Sequence, residues 1–418
     1  MKTEFLIARR LKLGDNTRRK ASPSIVVALV GIVLAIVIMI LSIVIVMGFK
    51  SEITHKIFAL NPHLKVTNAA LGIDDNIATV TGPEVFKAIL SDSTFSSRIS
   101  SMSLMAEKPA ILKTDNDFQA IVYQAVDDGY DWSYLKSCLV KGRTPSYADT
   151  ANINEIVMSR IVADKLQLQV GDRIFTYFID NKVKVRRSVI VGIYSSDFDN
   201  FDKAYILGNI AALQNVNGWS SNTGNYVGID MKTTNQLAED SYHLYGTLAA
   251  ATYDRGYNTL HRVTEIRQTN LAYFTWLNML DMNVVIIILL MIIVSAFTLI
   301  SAMLMIVLER IRTIGLLKAL GASNAYVRRI FIYLTLKLIV RAIIIGNVVG
   351  IGLALIQQHL HIVRLNPDAY NMPYVPIQIS IPALLFLNLG IIIVAYLTLL
   401  APSHIIATIK PASTMKFE

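Results

Sequence analysis

The sequence predicts an α-helical membrane protein with four transmembrane helices and a large α+β extracytoplasmic domain inserted between helices one and two. Three observations carry that class. The 418 residues are 53 % apolar and only 17 % charged, with a mean hydropathy of +0.48; this excludes a disordered chain, a collagenous one and a disulfide scaffold. The apolar residues gather into four long runs towards the two ends of the chain. Between the first two runs lie about 230 residues of ordinary composition, enough for one or two compact domains. The single cysteine, Cys138, has no partner for an intrachain disulfide and says little about redox compartment.

The first run, residues 24–47, is almost purely Val, Ile, Leu, Ala and Met. At 1.5 Å per residue it crosses a hydrocarbon core of about 30 Å. It is about twice the length of a signal-peptide core and ends in Met47, Gly48 and Phe49 rather than at a small-residue cleavage site, so a retained helix is expected. The second run, residues 282–308, spans roughly 40 Å as a helix and exceeds what the core needs. The third covers 330–358. The fourth covers 379–401, with Pro382 near its start, where a helix tolerates proline.

Charge sets the expected orientation. Lys2, Arg9, Arg10, Lys12, Arg18, Arg19 and Lys20 precede the first run, against Glu4 and Asp15. Arg310, Arg312, Lys318, Arg328 and Arg329 lie between the second and third, against Glu309. The insert from 48 to 280 carries 22 basic and 24 acidic residues. By the bias of short cytoplasmic segments towards Lys and Arg, both termini are expected inside and the insert outside. The net charge of +9 is then a property of topology, and nucleic acid is excluded as a partner.

Within the insert, Phe49, Ile53, Ile57 and Leu60 keep helical spacing until Asn61-Pro62. Ile266, Tyr273, Leu277 and Leu280 do the same at its far end, so two stalk helices are expected to continue the membrane helices. Between them strand-like alternation falls in 63–67, 110–113, 118–122, 173–178 and 183–193, and helical patterns in 84–90, 160–166 and 210–216. Asp180-Asn181 reads as a tight hairpin turn joining two of the strands.

Nothing in the sequence supports an enzyme. None of the 21 glycines is followed by lysine, so there is no Walker A loop. There is also no HExxH zinc helix and no Gly-x-Ser-x-Gly elbow. His359 and His361 face different ways on a helix, and the acids Asp127-Asp128 and Asp197, Asp199 and Asp202 lack the spacing of a calcium loop. No cofactor or metal site is expected on this chain. Lys337 and Arg341 sit one turn apart inside the third run. An intramembrane cation is by default a functional candidate, yet the 17 residues from 342 to 358 carry no charge, so snorkelling to the cytoplasmic boundary is the favoured reading. Gly346 and Gly350 form a GxxxG face with Gly352 beside it, a helix-packing signal.

The segment Glu309-Arg310-Ile311-Arg312-Thr313-Ile314-Gly315-Leu316-Leu317-Lys318-Ala319-Leu320-Gly321-Ala322-Ser323 reads as a short basic helix with an apolar patch of Leu316, Leu317 and Leu320, bounded by Gly321. Such a patch needs a protein groove to cover it. The string resembles the coupling-helix signature of the FtsX/MacB-like, or type VII, ABC transporter permeases. Residues 5–11 look like that family's elbow helix, basic and amphipathic. Met47-Gly48-Phe49 with Asn61-Pro62-His63-Leu64, the strings at 155–159, 168–174 and 191–194, Pro373 to Ile377, and the tail from Pro411 to Glu418 are similar to the lipoprotein-releasing branch called LolC and LolE. One departure stands out. The LolC type carries a long hook loop that recruits a periplasmic carrier, whereas here the strands following Gly171-Asp172 are joined by the short Ile179-Asp180-Asn181-Lys182 turn, which fits a LolE-like or undifferentiated permease better and argues against docking of the carrier through a hook.

The resemblance implies an inner-membrane permease subunit divided into a cytoplasmic elbow helix (1–23), helix one (24–47), stalks and periplasmic domain (48–281), helix two (282–308), a cytoplasmic coupling segment (309–329), helix three (330–358), a periplasmic loop (359–378), helix four (379–401) and a cytoplasmic tail (402–418). It implies a separate LolD-like ABC ATPase that holds the ATP and magnesium, a second permease copy or paralogue, a lipoprotein cargo and a periplasmic lipoprotein carrier. Glu309, Arg312, Ile314, Gly315, Leu316, Leu317, Lys318, Leu320 and Gly321 are the expected ATPase-coupling residues. Ile43, Met47, Met279 and Met282, at the outer ends of helices one and two, are candidates for contact with acyl chains, because methionine adapts to varied apolar shapes. The alternatives are a type VII efflux permease for a peptide or antibiotic, with MacB itself disfavoured because no fused ATPase precedes helix one, and an FtsX-like signalling protein that activates a periplasmic hydrolase.

Overall fold

Helix α1 (Pro23–Leu60) runs unbroken for 38 residues. Its end follows from Asn61-Pro62: proline offers no N–H to continue the ladder, and both the backbone and the side-chain amide of Asn61 turn back to the Ile57 carbonyl. The computed structural model describes residues 23–69, 79–147, 152–179, 182–255, 260–366, 370 and 372–403. The expected elbow helix, the tail beyond 403 and the Asp180-Asn181 turn lie outside these. The chain divides into two units, one comprising the described residues up to Ser51, Trp276–Arg364 and those from Tyr374 onward, the other comprising Glu52–Thr275 and the described residues of 365–373.

In the second unit the strands are β1 (Leu64–Asn68), β2 (Val80–Thr81), β3 (Ile99–Lys113), β4 (Phe118–Val126), β5 (Leu139–Gly142), β6 (Glu155–Ser159), β7 (Arg173–Ile179), β8 (Val183–Tyr194), β9 (Tyr205–Asn209), β10 (Thr223–Gly224), β11 (Tyr226–Met231) and β12 (His261–Glu265). The helices are α2 (Gly82–Leu90), α3 (Arg160–Lys165), α4 (Asp199–Ala204), α5 (Ile210–Asn217) and α6 (Leu237–Arg255), with single-turn segments between them. Strands β3, β4, β9, β6, β8 and β7 pair in a ring that returns to β3, which removes free sheet edges from that part of the domain. Tyr123 and Phe178 are buried and meet edge to face with ring centres 5.6 Å apart. From the first half of β3 the sheet continues through β11 and β1 to β12. Leu64 stands opposite Glu265 and Asn68 opposite His261. The two chain segments that open and close the insert are therefore neighbouring strands.

Several sequence expectations change here. The strand expected at 110–113 is the tail of the fifteen-residue β3. Proline is disfavoured inside a strand; Pro109 is tolerated because β3 pairs with β11 only as far as Met105 and with β7 only from Ile111, so no partner on that side needs its missing N–H. The far stalk is not one helix: a single turn, Ile266–Thr269, precedes a break at Asn270. Helix α6 carries little helical periodicity in its sequence, because its buried stripe, Leu237, Leu244, Leu248 and Ala251, is thin and interrupted by Gly246.

The insert-proximal end of α1 carries a buried cation. Lys56 is 5 % exposed, its Nζ donates to the Asp197 carbonyl at 2.8 Å, and burial holds its ammonium below the usual lysine range. Asp197 has a φ of +52°. Nearby, the buried Asp202 carboxylate accepts from the Ser196 N–H and Oγ, and burial pushes its carboxyl up to about 6.

The first unit holds α1 up to Ser51 with α7 (Leu271–Glu309, from Trp276), α8 (Ile311–Ala319), α9 (Asn324–Leu360) and α10 (Ile381–Ser403). Four of these helices, all but α8, are long and apolar enough to cross a membrane. Their shared core includes Ile36, Met39, Ile40, Met303, Ile339 and Ala395. Helix α9 lies close to α1 because of two glycines: a Cβ on Gly346 would come within 2.7 Å of Ile36, and one on Gly350 within 3.2 Å of Ile40. Contrary to the sequence expectation, Gly352 takes no part in this packing, since a Cβ there meets nothing within 4 Å. Asn347 and Asn388 exchange two side-chain hydrogen bonds of 2.8 and 3.0 Å between α9 and α10, a polar clasp in an apolar bundle.

Candidate functional site

The coupling segment is built by two helix ends. After Glu309 the chain breaks at Arg310 and α8 begins. Gly321, at φ +91°, closes α8: its N–H donates to the Lys318 carbonyl and the Ala322 N–H to that of Leu317, both at 3.0 Å. This is the paired-bond glycine cap, which favours a residue without Cβ at the left-handed position. Ser323 then caps α9, its Oγ accepting from the Tyr326 N–H. The segment is thus a short helix set between two long ones, with a glycine cap at its end and a serine cap on the helix that follows.

Burial sorts the residues of the string. Ile314 and Gly315 are buried and face the bundle, where Ile314 shares a core with Val327. Leu317 is half-buried against that same core. The expected patch of Leu316, Leu317 and Leu320 is narrowed by this: Leu316 is 59 % and Leu320 77 % exposed, and with exposed Arg312 they form a stripe at four-residue spacing, one face of a helix. Glu309 and Gly321 are exposed at the flanks and Lys318 is half-buried.

At the insert-proximal ends of α1 and α7, Lys50 and Asp281 form an ion pair at 2.7 Å, and Phe49 meets Trp276 edge-on at 5.6 Å. Met47, Met279 and Met282 flank these contacts in sequence. Met279 and Met282 are exposed. Met47 is half-buried, and so is Ile43, which packs on the bundle core. Gly48 is tight against the backbone of Pro376 and Ile377, and the Gln378 N–H donates to the Val44 carbonyl at 3.2 Å. The loop after α9 is pinned by Gln357, whose Nε2 donates to the carbonyls of Val363 and Val375 at 3.0 and 3.3 Å and whose Oε1 accepts from the Val363 N–H at 2.8 Å. Sequence reasoning missed Lys50–Asp281, Phe49–Trp276, the asparagine clasp and the Gln357 bracket; each joins positions that share no local pattern.

In the insert, Ile179 stands opposite Val183, so only three residues join β7 to β8 and no long loop projects between them. This hairpin exposes Phe175, Ile179, Val183 and Val185. Among the described residues no group of three His, Cys, Asp or Glu side chains is placed to hold a metal ion.

A bundle of four membrane-crossing helices, a capped basic helix with a bare leucine stripe, and an α+β domain inserted after the first span define a permease-type subunit. Residues 25–241 match the profile of the MacB-like periplasmic core domain, and residues 285–411 that of the FtsX-like permease C-terminal domain. The chain belongs to the FtsX/MacB-like family of ABC transporter permeases. Among named relatives, the lipoprotein-releasing system transmembrane protein LolC of Xylella fastidiosa (strain 9a5c) is 20 % identical over 94 % of both chains. LolE of Haemophilus influenzae is 27 % identical over 29 % of this chain and 31 % of its own. Of solved structures, the extracellular domain of the transporter YknZ from Gram-positive bacteria covers 48 % of this chain and 99 % of its own, at 13 % identity and a TM-score of 0.35. The periplasmic region of MacB from Actinobacillus actinomycetemcomitans covers 50 % and 91 % with the same identity and score.

Proposed function

We propose that this chain is the permease subunit of an inner-membrane ABC transporter that extracts lipoproteins for transfer towards the outer membrane, worked by a separate ATPase that binds ATP and magnesium. Both termini are cytoplasmic and the insert is periplasmic in this reading, as the charge bias suggests. The observation that carries the coupling is the exposed stripe Arg312, Leu316 and Leu320 on a helix fixed at both ends. Two leucines at four-residue spacing, bare on the basic side of the bundle, suit the apolar groove of a partner protein. The names of the relatives support lipoprotein as the cargo. Physics supports a driven machine, because each acyl CH₂ exposed to water costs about 0.8 kcal/mol, and several chains together cost tens of kcal/mol. Met279 and Met282, exposed at the outer end of α7, with Met47 and Ile43 beside them on α1, are the proposed acyl contacts. A second copy or a paralogue completes the channel. A carrier would dock without a long hook, since only three residues separate β7 from β8.

The test is co-purification in mild detergent followed by depletion. The wild-type chain should bring down an ABC ATPase and lipidated protein, and Leu316→Asp with Leu320→Asp should lose the ATPase while the chain still reaches the membrane. Retained ATPase would refute the coupling stripe. If depletion leaves lipoproteins reaching the outer membrane normally, lipoprotein release is wrong, and the efflux or FtsX-like signalling readings take its place.

A further inference from the structure

Lys337 and Arg341 are both exposed, one turn apart on α9. On the opposite side of the same helix Leu338, Ile339 and Ala342 are buried in the bundle core, so the two cations point away from the bundle. Neither has an ion-pair or hydrogen-bond partner among the described residues. The only acids among the described residues of this unit are Asp281, paired with Lys50, and Glu309, the last residue of α7. Immediately beyond the cations, the same face continues as Ile344, Ile345 and Val348, all exposed. Residues 342–360 carry no Lys, Arg, Asp or Glu and rise about 28 Å as a helix, the thickness of a hydrocarbon core. With the end of α9 at one boundary, Arg341 reaches the phosphate level of the other leaflet, and Lys337 lies about 6 Å further out.

We propose that Lys337 and Arg341 form a binding site for an anionic phospholipid, the two cations holding its phosphate while its acyl chains lie along Ile344, Ile345 and Val348. Snorkelling alone would place the cations in water at no particular partner. Two cations at one helical turn, at phosphate height and with a bare aliphatic track running from them into the core, match the charge and the amphiphilic order of one lipid molecule. A second copy docked symmetrically on this face is disfavoured, because it would bring the same two cations against themselves. The proposal depends on α9 spanning the bilayer and does not depend on which cargo the permease moves.

The experiment uses the full chain in neutral detergent, stripped of native lipid and titrated with cardiolipin, phosphatidylglycerol or phosphatidylcholine, with adducts read by native mass spectrometry. The anionic lipids should bind saturably and phosphatidylcholine should not. Lys337→Gln with Arg341→Gln should weaken anionic binding about tenfold or more, whereas the charge-keeping pair Lys337→Arg with Arg341→Lys should retain it. The same substitutions leave the coupling stripe intact, so ATPase co-purification should persist, which separates this test from that of the permease function. Unchanged lipid adducts in the glutamine variant would overturn the proposal. So would displacement of the lipid by millimolar inorganic phosphate, or loss of a dimer in place of loss of lipid.

Discussion

Helices α1 and α7 are near twins in sequence and opposites in structure. They are 38 and 39 residues long, with peak hydropathies of 3.4 and 3.1 over their most apolar windows. Yet 39 % of that window is buried in α1 and only 6 % in α7. Hydropathy says that both cross a membrane; it does not say what each touches. Helix α1 buries one face because α9 offers it two glycines, whereas α7 turns Met282, Leu289, Ile293 and Phe297 outward, away from the bundle. Within one chain, one apolar span serves as core and the other as surface.

The comparison breaks most readily at the core. Ile36 is fully buried and Ile286 is 58 % exposed, so Ile36→Ala is expected to cost about 2 kcal/mol or more and Ile286→Ala close to nothing, read as the unfolding midpoint in mild detergent. Equal losses would mean that α7 is as enclosed as α1. Next come the glycines. Gly346→Val forces a side chain into Ile36 and should cost about 1–3 kcal/mol, while Gly352→Val, with open space around it, should be tolerated. A smaller effect belongs to the asparagine clasp. Asn347→Ala and Asn388→Ala should each cost about 1 kcal/mol, and a double-mutant cycle should show them strongly coupled; additive losses would mean the two amides act independently. Gly321→Ala should cost about 1 kcal/mol through its left-handed φ alone and loosen ATPase co-purification, with Gly352→Ala as the silent control.

The smallest expected effect lies in the insert and concerns pH. Burial raises the Asp202 carboxyl to about 6, above its ordinary value, so the folded domain binds that proton more tightly than the unfolded chain does. Stability from this group is therefore greatest at low pH and is lost as pH rises from about 4 through 6. Melting curves of the full chain should show this decline, flattened in Asp202→Asn; an unflattened curve would assign the dependence to other groups.

The four spans were legible because a bilayer tolerates few backbone solutions and composition alone betrays them. So were β1 and β7, whose alternation is regular, and so was the turn at Gly321, where a glycine after a basic helical turn has few other meanings. The missed stretch of β3, from Ile99 to Pro109, shows the limit. Pro109 is a strand breaker until it is known that the neighbouring strand is absent just there, and that absence is a fact of topology. The coupling string was legible as a unit, but which of its residues face outward was not: Ile314, Leu316 and Leu317 are similar side chains, and only the placement of α9 decides that the first is buried and the second bare. The same holds for the GxxxG face, where the partner Ile36 lies three hundred residues earlier in the chain.

Gln357 has one further consequence. A single side-chain amide grips both arms of the loop after α9, at Val363 and Val375, and that loop in turn is stitched to α1 through Gln378 and Val44. Three pieces of backbone are geared through one residue. A slide or twist delivered to the basic end of α9 has no slack to disappear into, and reaches α1 by way of the loop as well as through the glycine seam.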